Sequence, residues 1–179
     1  MSTLKVGTIQ STAGNTAMTI AANGVVSGVG KILQAVGNSS ETSSYASSTS
    51  AWTGTGFSAS IQPSSTSSKI LLMVSANGYQ DTASRYYMFN VHRHSSAIGA
   101  EGSTSGATRL FDDTRGFGII YGNSGDRFAV VSCHFLDEPA STSMLHYNVT
   151  HKKQGGSPNF NHSTPTSTMV LLEVGVWVH

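Results

Sequence analysis

The chain has 179 residues, a mass of 18.7 kDa and a formal net charge of +1, with 11% charged and 38% hydrophobic residues. So small a net charge excludes a strong electrostatic attraction to nucleic acid or to an acidic membrane, and this hydrophobic fraction is too high for a disordered chain. The single cysteine, Cys133, excludes an intrachain disulfide. The sequence contains no run of ~18 apolar residues, so no membrane-spanning helix is predicted.

The first predicted segment, residues 1–34, consists of short strands separated by glycine-containing turns. Asn23-Gly24 lies between two short apolar runs, which is typical of a hairpin because both residues tolerate positive φ. A segment of this kind buries too little apolar surface to fold alone. We therefore predict that residues 1–34 are an attachment or oligomerisation segment that needs a partner.

The second segment, residues 35–55, is rich in serine and threonine. It is either a linker or an edge strand, since threonine and tyrosine suit a pleated surface. We favour an edge strand that enters the next domain near residues 53–61, with a loop before it.

The third segment, residues 56–179, alternates apolar and polar side chains in several runs, which is the period of a β-strand. The predicted strands cover residues 57–61, 69–77, 85–94, 127–136, 144–151 and 169–178, with a weaker strand near 95–99. No stretch shows a helical period. Strands at this spacing, separated by turn residues, predict an all-β antiparallel sandwich of the jelly-roll kind.

Several strands are apolar on both faces, although the outer face of a solvated sandwich is normally polar. The residues predicted on the outer face are Leu71, Met73, Leu171 and Trp177. Burying one large apolar side chain is worth ~1.5–3 kcal/mol, so a row of them facing water is costly. We expect these side chains to form a subunit interface, most simply around a threefold axis.

Two parts of the sequence resemble structural proteins of tailed phages. The N-terminal run 2–10, followed by 14–20 and 24–26, is similar to the start of tail-fibre and related proteins of marine tailed phages, cyanophages among them. The runs 61–65, 68–71, 135–139 and 169–174 resemble a C-terminal β-sandwich module of the same proteins.

This resemblance implies a virion protein, made in the host cytoplasm, that contacts other virion proteins through its N-terminal segment. It would be a short trimeric tail-fibre or receptor-binding protein that displays its sandwich to a glycan or protein of the host surface. Because the chain has no long repetitive shaft, a capsid decoration or head-fibre protein is the alternative. A glycan depolymerase is a third and weaker alternative, since no carboxylate pair with a readable cleft is present.

The candidate binding residues lie on or beside the long connections 80–86, 99–127 and 154–168, since loops on a rigid frame commonly carry binding groups. Their aromatic, amide and imidazole groups suit stacking and hydrogen bonding. These residues are Tyr86, Tyr121, Phe160, Asn161 and His162. Lys152 and Lys153 are too few to follow a nucleic-acid backbone, and we expect both in solvent.

Other residue patterns in the sequence bear on metal binding and catalysis. His92 and His94 alternate on one strand, so both imidazoles share a face; one copy supplies too few ligands for a metal, whereas three copies around an axis supply six. The pairs Asp112-Asp113 and Asp137-Glu138 are expected in solvated turns, without a catalytic partner. We therefore expect no enzyme activity and no cofactor.

Overall fold

A computed structural model describes residues 8–10, 16–20, 26–28, 32–45, 50–112, 114–124, 126–162 and 166–175. Within these ranges the chain forms fifteen β-strands and no helix, so no helix there is long and apolar enough to cross a membrane. The strands are β1 (Thr8–Gln10), β2 (Thr16–Ile20), β3 (Val26–Gly28), β4 (Ile32–Ser40), β5 (Ser44–Tyr45), β6 (Thr53–Ile61), β7 (Lys69–Gln80), β8 (Arg85–His94), β9 (Ala100–Ser103), β10 (Thr108–Arg109), β11 (Gly118–Gly122), β12 (Arg127–Asp137), β13 (Leu145–Lys153), β14 (Asn159–Phe160) and β15 (Ser167–Val174).

Two antiparallel sheets pack face to face and confirm the predicted all-β sandwich. Sheet I has the order β11-β8-β13-β6, and the short strands β10 and β9 extend its edges. Sheet II has the order β12-β7-β15-β4, with β14 and β5 continuing beside the far end of β7. When the eight main strands are followed in chain order, all but one of the connections between consecutive strands cross from one sheet to the other. This is the strand order of a jelly roll.

The three short strands near the N-terminus form a sheet of their own. β1 pairs with β2, and β2 pairs with β3, both antiparallel. The predicted short strands of residues 1–34 are therefore present. The expected need of this segment for a partner stays a prediction.

The sandwich begins earlier in the chain than predicted. β4 pairs with β15 from Ile32 to Ser40, so it forms an edge of sheet II and crosses the predicted boundary at residue 34. The stretch expected to be a linker or an edge strand thus contains an edge strand, but at its beginning. Thr53–Ile61, predicted to be the edge strand, lies instead between β13 and the short β9.

The core fills the space between the sheets with the inward side chains of both. Sheet II supplies the even residues of β7 and the odd residues of β15, because strand alternation sends neighbouring side chains to opposite faces. Phe89 and Phe160 meet across the sandwich with ring centroids 6.3 Å apart. Leu171 is fully buried in this core, so its predicted place at a subunit interface is wrong. Trp177, predicted at the same interface, lies outside the described residues.

Candidate functional site

The described groove with the clearest mixture of aromatic and charged groups lies on the outer face of sheet I. It has a volume of about 290 Å³. Its floor is a row across three strands, because Met88 of β8 pairs with Ile119 of β11 on one side and with Lys152 of β13 on the other. The next row places Tyr86 beside Tyr121 with ring centroids 4.9 Å apart.

Three basic residues line this groove: Arg115, Lys152 and Lys153. Lys152 shares the outer face with Met88, whereas Lys153 pairs with the buried Tyr87 and its side chain therefore starts from the inner face. The ammonium nitrogen of Lys152 lies 4.6 Å from the ring centroid of Trp52, a cation–π distance. Lys153 Nζ donates a hydrogen bond of 2.7 Å to the carbonyl of Gly156. The prediction that both lysines are merely solvated is therefore wrong, since each is half-buried and anchored.

The loop that carries Arg115 is held in place by Asp112. The Asp112 carboxylate accepts backbone hydrogen bonds from Arg115 at 3.1 Å and from Thr114 at 2.7 Å. These bonds to the backbone of Arg115 and Thr114 lower the pKa of Asp112. At the next residue, Gly116 has φ +66° and packs so closely on β8 that an added Cβ would lie 1.9 Å from the Phe89 carbonyl oxygen.

The five predicted binding residues do not form one site. Tyr86 and Tyr121 are both exposed and meet beside the groove. Phe160 and Asn161 are fully buried, so their prediction as surface binding residues is wrong. Phe160 belongs to β14 and packs in the core, while Asn161 fastens β14 to the chain around β4 through Nδ2, 2.7 Å from the Ser40 carbonyl.

His162, the fifth predicted binding residue, lies elsewhere on the molecule. Its ring stacks on Tyr79 of sheet II with centroids 4.4 Å apart, next to Phe128. The sequence could have indicated the groove through the alternation of Tyr86 and Met88 on one face of β8. It gave no signal that Arg115 would fold back over that face.

The two histidines predicted for metal binding share the outer face of sheet I but differ in exposure. His92 is buried, and its Nδ1 lies 2.8 Å from Thr150 Oγ1. His94 is half-buried and bonds Ser96 through Nδ1. Among the described residues no group of three or more potential ligands could hold a metal ion. A metal shared between copies stays a prediction, against which the burial of His92 counts.

The carboxylate pair at 137 and 138 is not wholly solvated, contrary to expectation. Asp137 is buried, and its Oδ2 accepts hydrogen bonds from Arg93 at 2.5 Å and from Tyr147 at 2.7 Å. Burial and the bond to Asp137 raise the pKa of Tyr147. Glu138 is exposed and pairs with Lys69. Because its Oδ2 holds both partners inside the sandwich, Asp137 is a stabilising group and not a free acid or base.

Two further groups inside the sandwich are chemically notable. His151 is fully buried, with Nδ1 2.6 Å from the Tyr87 hydroxyl, and burial lowers its pKa to about 3. Cys133 points inward from β12 and packs against the core. Burial raises the pKa of its thiol to about 12, so it stays protonated and unreactive at neutral pH.

The outer face of sheet II carries a continuous apolar patch, here called the outer band. Register places its side chains in two adjacent rows across β12, β7 and β15. Met73 is 40% exposed and Leu136 47% exposed, while the other members are half-buried. The outer band consists of Leu71, Met73, Leu136, Val170 and Leu172.

No protein-family model matches the chain, and no curated protein does. A search of solved structures finds similarity to a chain from the structure of infectious bursal disease virus, Gx strain. That match has 13% identity and a TM-score of 0.34, and covers 84% of this chain and 42% of the viral one. This chain thus spans less than half of that protein, and a likeness so distant carries no argument about function. The resemblance to marine phage tail-fibre proteins stays a prediction.

Proposed function

We propose that the protein is a non-enzymatic structural component of a tailed-virus particle: a short, homotrimeric tail-fibre or receptor-binding protein. In this proposal the N-terminal segment docks on other virion proteins and the jelly roll is displayed to the host surface. The observation that carries the proposal is the outer band, an apolar patch on a sheet face where a solitary sandwich is normally polar.

The outer band suits a second copy of the same chain as its partner. The other side chains described beside it on that face include no lysine, arginine or carboxylate: Ser75, Ser132, His134 and Thr168. Charged residues described there lie at the ends of the face: Lys69 and Glu138 pair with each other at one end, and Asp126 accepts a hydrogen bond from the Tyr79 hydroxyl at the other. Two copies can therefore meet there without placing like charges opposite each other. Such a juxtaposition costs roughly several kcal/mol.

The oligomeric state tests this proposal. Light scattering on the eluting protein is expected to give three times the chain mass. Met73→Asp would place a charge in each copy of the interface, and we expect it to convert the trimer to monomer while the circular dichroism spectrum stays that of a β-protein.

Thr108→Asp is the matched control, since it adds the same charge at an exposed position of β10 on the opposite sheet. It should leave the trimer intact. A wild-type monomer, or a Met73→Asp protein that remains trimeric, would show that the outer band is not the interface.

A further inference from the structure

The two edge strands of sheet II are open along the main part of the sheet. Among the described residues, β12 pairs only with β7 and β4 pairs only with β15. β11 lies against the inner side of β12, where Gly118 meets the Val131 side chain, but these two strands form no ladder. An open edge presents backbone N–H and C=O groups without a partner strand, so it is a template for pairing with another chain.

These edges lack most of the features by which natural sheets prevent such pairing, namely bulges, prolines and charged side chains. β12 stays in unbroken register with β7, and its lysine, arginine and carboxylate residues are confined to its two ends. β4 contains no charged residue and no proline, and its register with β15 shifts only near Leu33. Both strands expose large apolar side chains: Phe128 and Val130 on β12, and Ile32 and Leu33 on β4.

The strand order of sheet II gives its two edges opposite directions. Over the length of β15 the order is β12-β7-β15-β4, and every neighbouring pair is antiparallel. β12 and β4 therefore run in opposite directions. A rotation axis parallel to the strands preserves the direction of each strand, so it brings β12 of one copy beside β4 of the next copy in antiparallel orientation. Head-to-tail contacts of this kind close into rings.

The width of the sheet fits a ring of three copies. Strands spaced ~4.8 Å apart give this sheet a width of about 19 Å, and the centre of an equilateral triangle with that side lies about 5.5 Å from each side. This distance is close to half of the ~10 Å that separates packed sheets, so inward side chains can fill the middle. The outer band supplies apolar side chains on that face. A ring of four would place the centre about 10 Å from each sheet and leave a void.

We propose that β12 of each copy pairs with β4 of the next, so that three copies of sheet II close into a triangular prism with the outer band inside. This inference rests on the trimer of the proposed function and names the strands that join its copies. Threefold symmetry carries no shift along its axis, so residues in one row across the sheet stand level at the two edges. One such row consists of Ser132, Ser75, Thr168 and Ser39. Ser132 therefore faces Ser39 of the next copy.

Disulfide formation between these two positions tests the pairing in the full chain. Facing Cα atoms of paired antiparallel strands lie ~4.5–5.5 Å apart, which is within disulfide range. Within one chain the two positions are separated by three strand spacings, or ~14 Å, and cannot be joined. After mild oxidation, a protein with both Ser132→Cys and Ser39→Cys should run as covalent dimer and trimer on a denaturing gel, and as a single chain after reduction.

Control variants separate this contact from others. Each single cysteine variant should remain trimeric and unlinked. A covalent dimer of Ser132→Cys alone would show that two β12 edges pair about a twofold axis, and would overturn the proposal. Ser132→Cys combined with Ala35→Cys keeps both strands and the same face but moves one thiol ~14 Å along β4, so it should not link. Linkage through position 35 as efficient as through position 39 would also overturn the pairing.

Hydrogen exchange resolved by residue gives a second measurement on the unmodified protein. Alternate amides of an open edge strand point to solvent, whereas in a strand paired on both sides all amides are hydrogen-bonded. Amides between Val131 and Leu136 should therefore exchange as slowly as those of β7, while those of β11 at the edge of sheet I should alternate between slow and fast. A trimeric protein whose double cysteine variant stays unlinked, or whose β12 amides alternate in this way, would overturn the strand pairing alone. A wild-type monomer would overturn the proposed trimer and the strand pairing together.

Discussion

Acid should destabilise this protein through one histidine. His151 lies in the core with no exposed surface, and its Nε2 has no hydrogen-bond partner among the described residues. Nδ1 contacts the hydroxyl of Tyr87, whose own pKa is raised by burial, so that neighbour offers no negative charge. Nothing described beside the ring therefore compensates for protonation, and the folded protein keeps it neutral.

The sign and size of this loss of stability follow from the linkage between proton binding and folding. The pKa of an unfolded histidine is near 6.5, whereas the folded protein holds His151 at about 3. Between these values the unfolded chain binds a proton that the folded chain does not. The contribution of His151 to the free energy of unfolding is therefore fully present above pH 6.5 and is lost as the pH drops toward 3. Each pH unit in that window costs about 1.4 kcal/mol, or roughly 2 kcal/mol in all by about pH 5.

Urea unfolding at fixed protein concentration, at about pH 7.5 and about pH 5, measures this loss. His151→Gln keeps a polar group near Tyr87 but cannot take up a proton. The variant should lose about 2 kcal/mol less than the wild type between the two pH values, whatever its stability at neutral pH. His134→Gln, an exposed position on sheet II, is the control and should behave as the wild type does. Identical acid sensitivity in His151→Gln and wild type would refute the reasoning.

Two further predictions concern stability and are measured by urea or thermal unfolding. Asp137→Asn leaves the half-buried Arg93 without its counter-ion and should cost about 1–3 kcal/mol, while Glu138→Gln, which breaks an exposed pair, should cost under about 1. A similar loss in both variants would contradict the buried role of Asp137. Gly116→Ala must place a Cβ against a backbone carbonyl at positive φ and should cost about 2 kcal/mol or more. Gly37→Ala meets nothing within 4 Å and should be near neutral; equal effects of the two alanines would show that the loop can relax.

The sandwich could be predicted from the sequence because apolar and polar residues alternate strongly in its long strands. β7, β8, β12, β13 and β15 each lie close to a predicted strand. The short strands are harder to predict: β14 has two residues, too few to show any period, so the sequence predicts Phe160 in a loop. β4 is hard to predict for a different reason: its apolar first half shows no alternation, and its second half, Gly37 to Ser40, does not distinguish an edge strand from a linker.

The hydrophobic pattern does not show which face of β15 is buried, because this strand carries apolar residues on both faces. Register with β7 decides it: Leu171 pairs with the buried Leu72, while Leu172 pairs with Leu71 on the outside. Glu173 shares the inner face with Leu171. Burial opposes its charge, but hydrogen bonds from Ser64 and Ser68 prevail and lower its pKa.

The groove depends on long-range folding, which a single strand does not encode. Tyr86 and Met88 share a face by alternation, but Arg115 reaches them only because the segment after β10 turns back onto β8. The backbone N–H of Phe117 donates to the Phe89 carbonyl at 2.9 Å, which fixes that return. No local period or turn residue predicts a contact over this separation.

The pairing of β4 with β15 also determines how the domain resists being pulled. β4 is hydrogen-bonded to the C-terminal strand from Ile32 to Ser40, and antiparallel hydrogen bonds run perpendicular to their strands. A tensile load that reaches Ile32 along the chain axis therefore acts on this ladder in shear, and its bonds must yield together instead of one after another. Force applied to the start of β4 along the strand is in this way transmitted into sheet II.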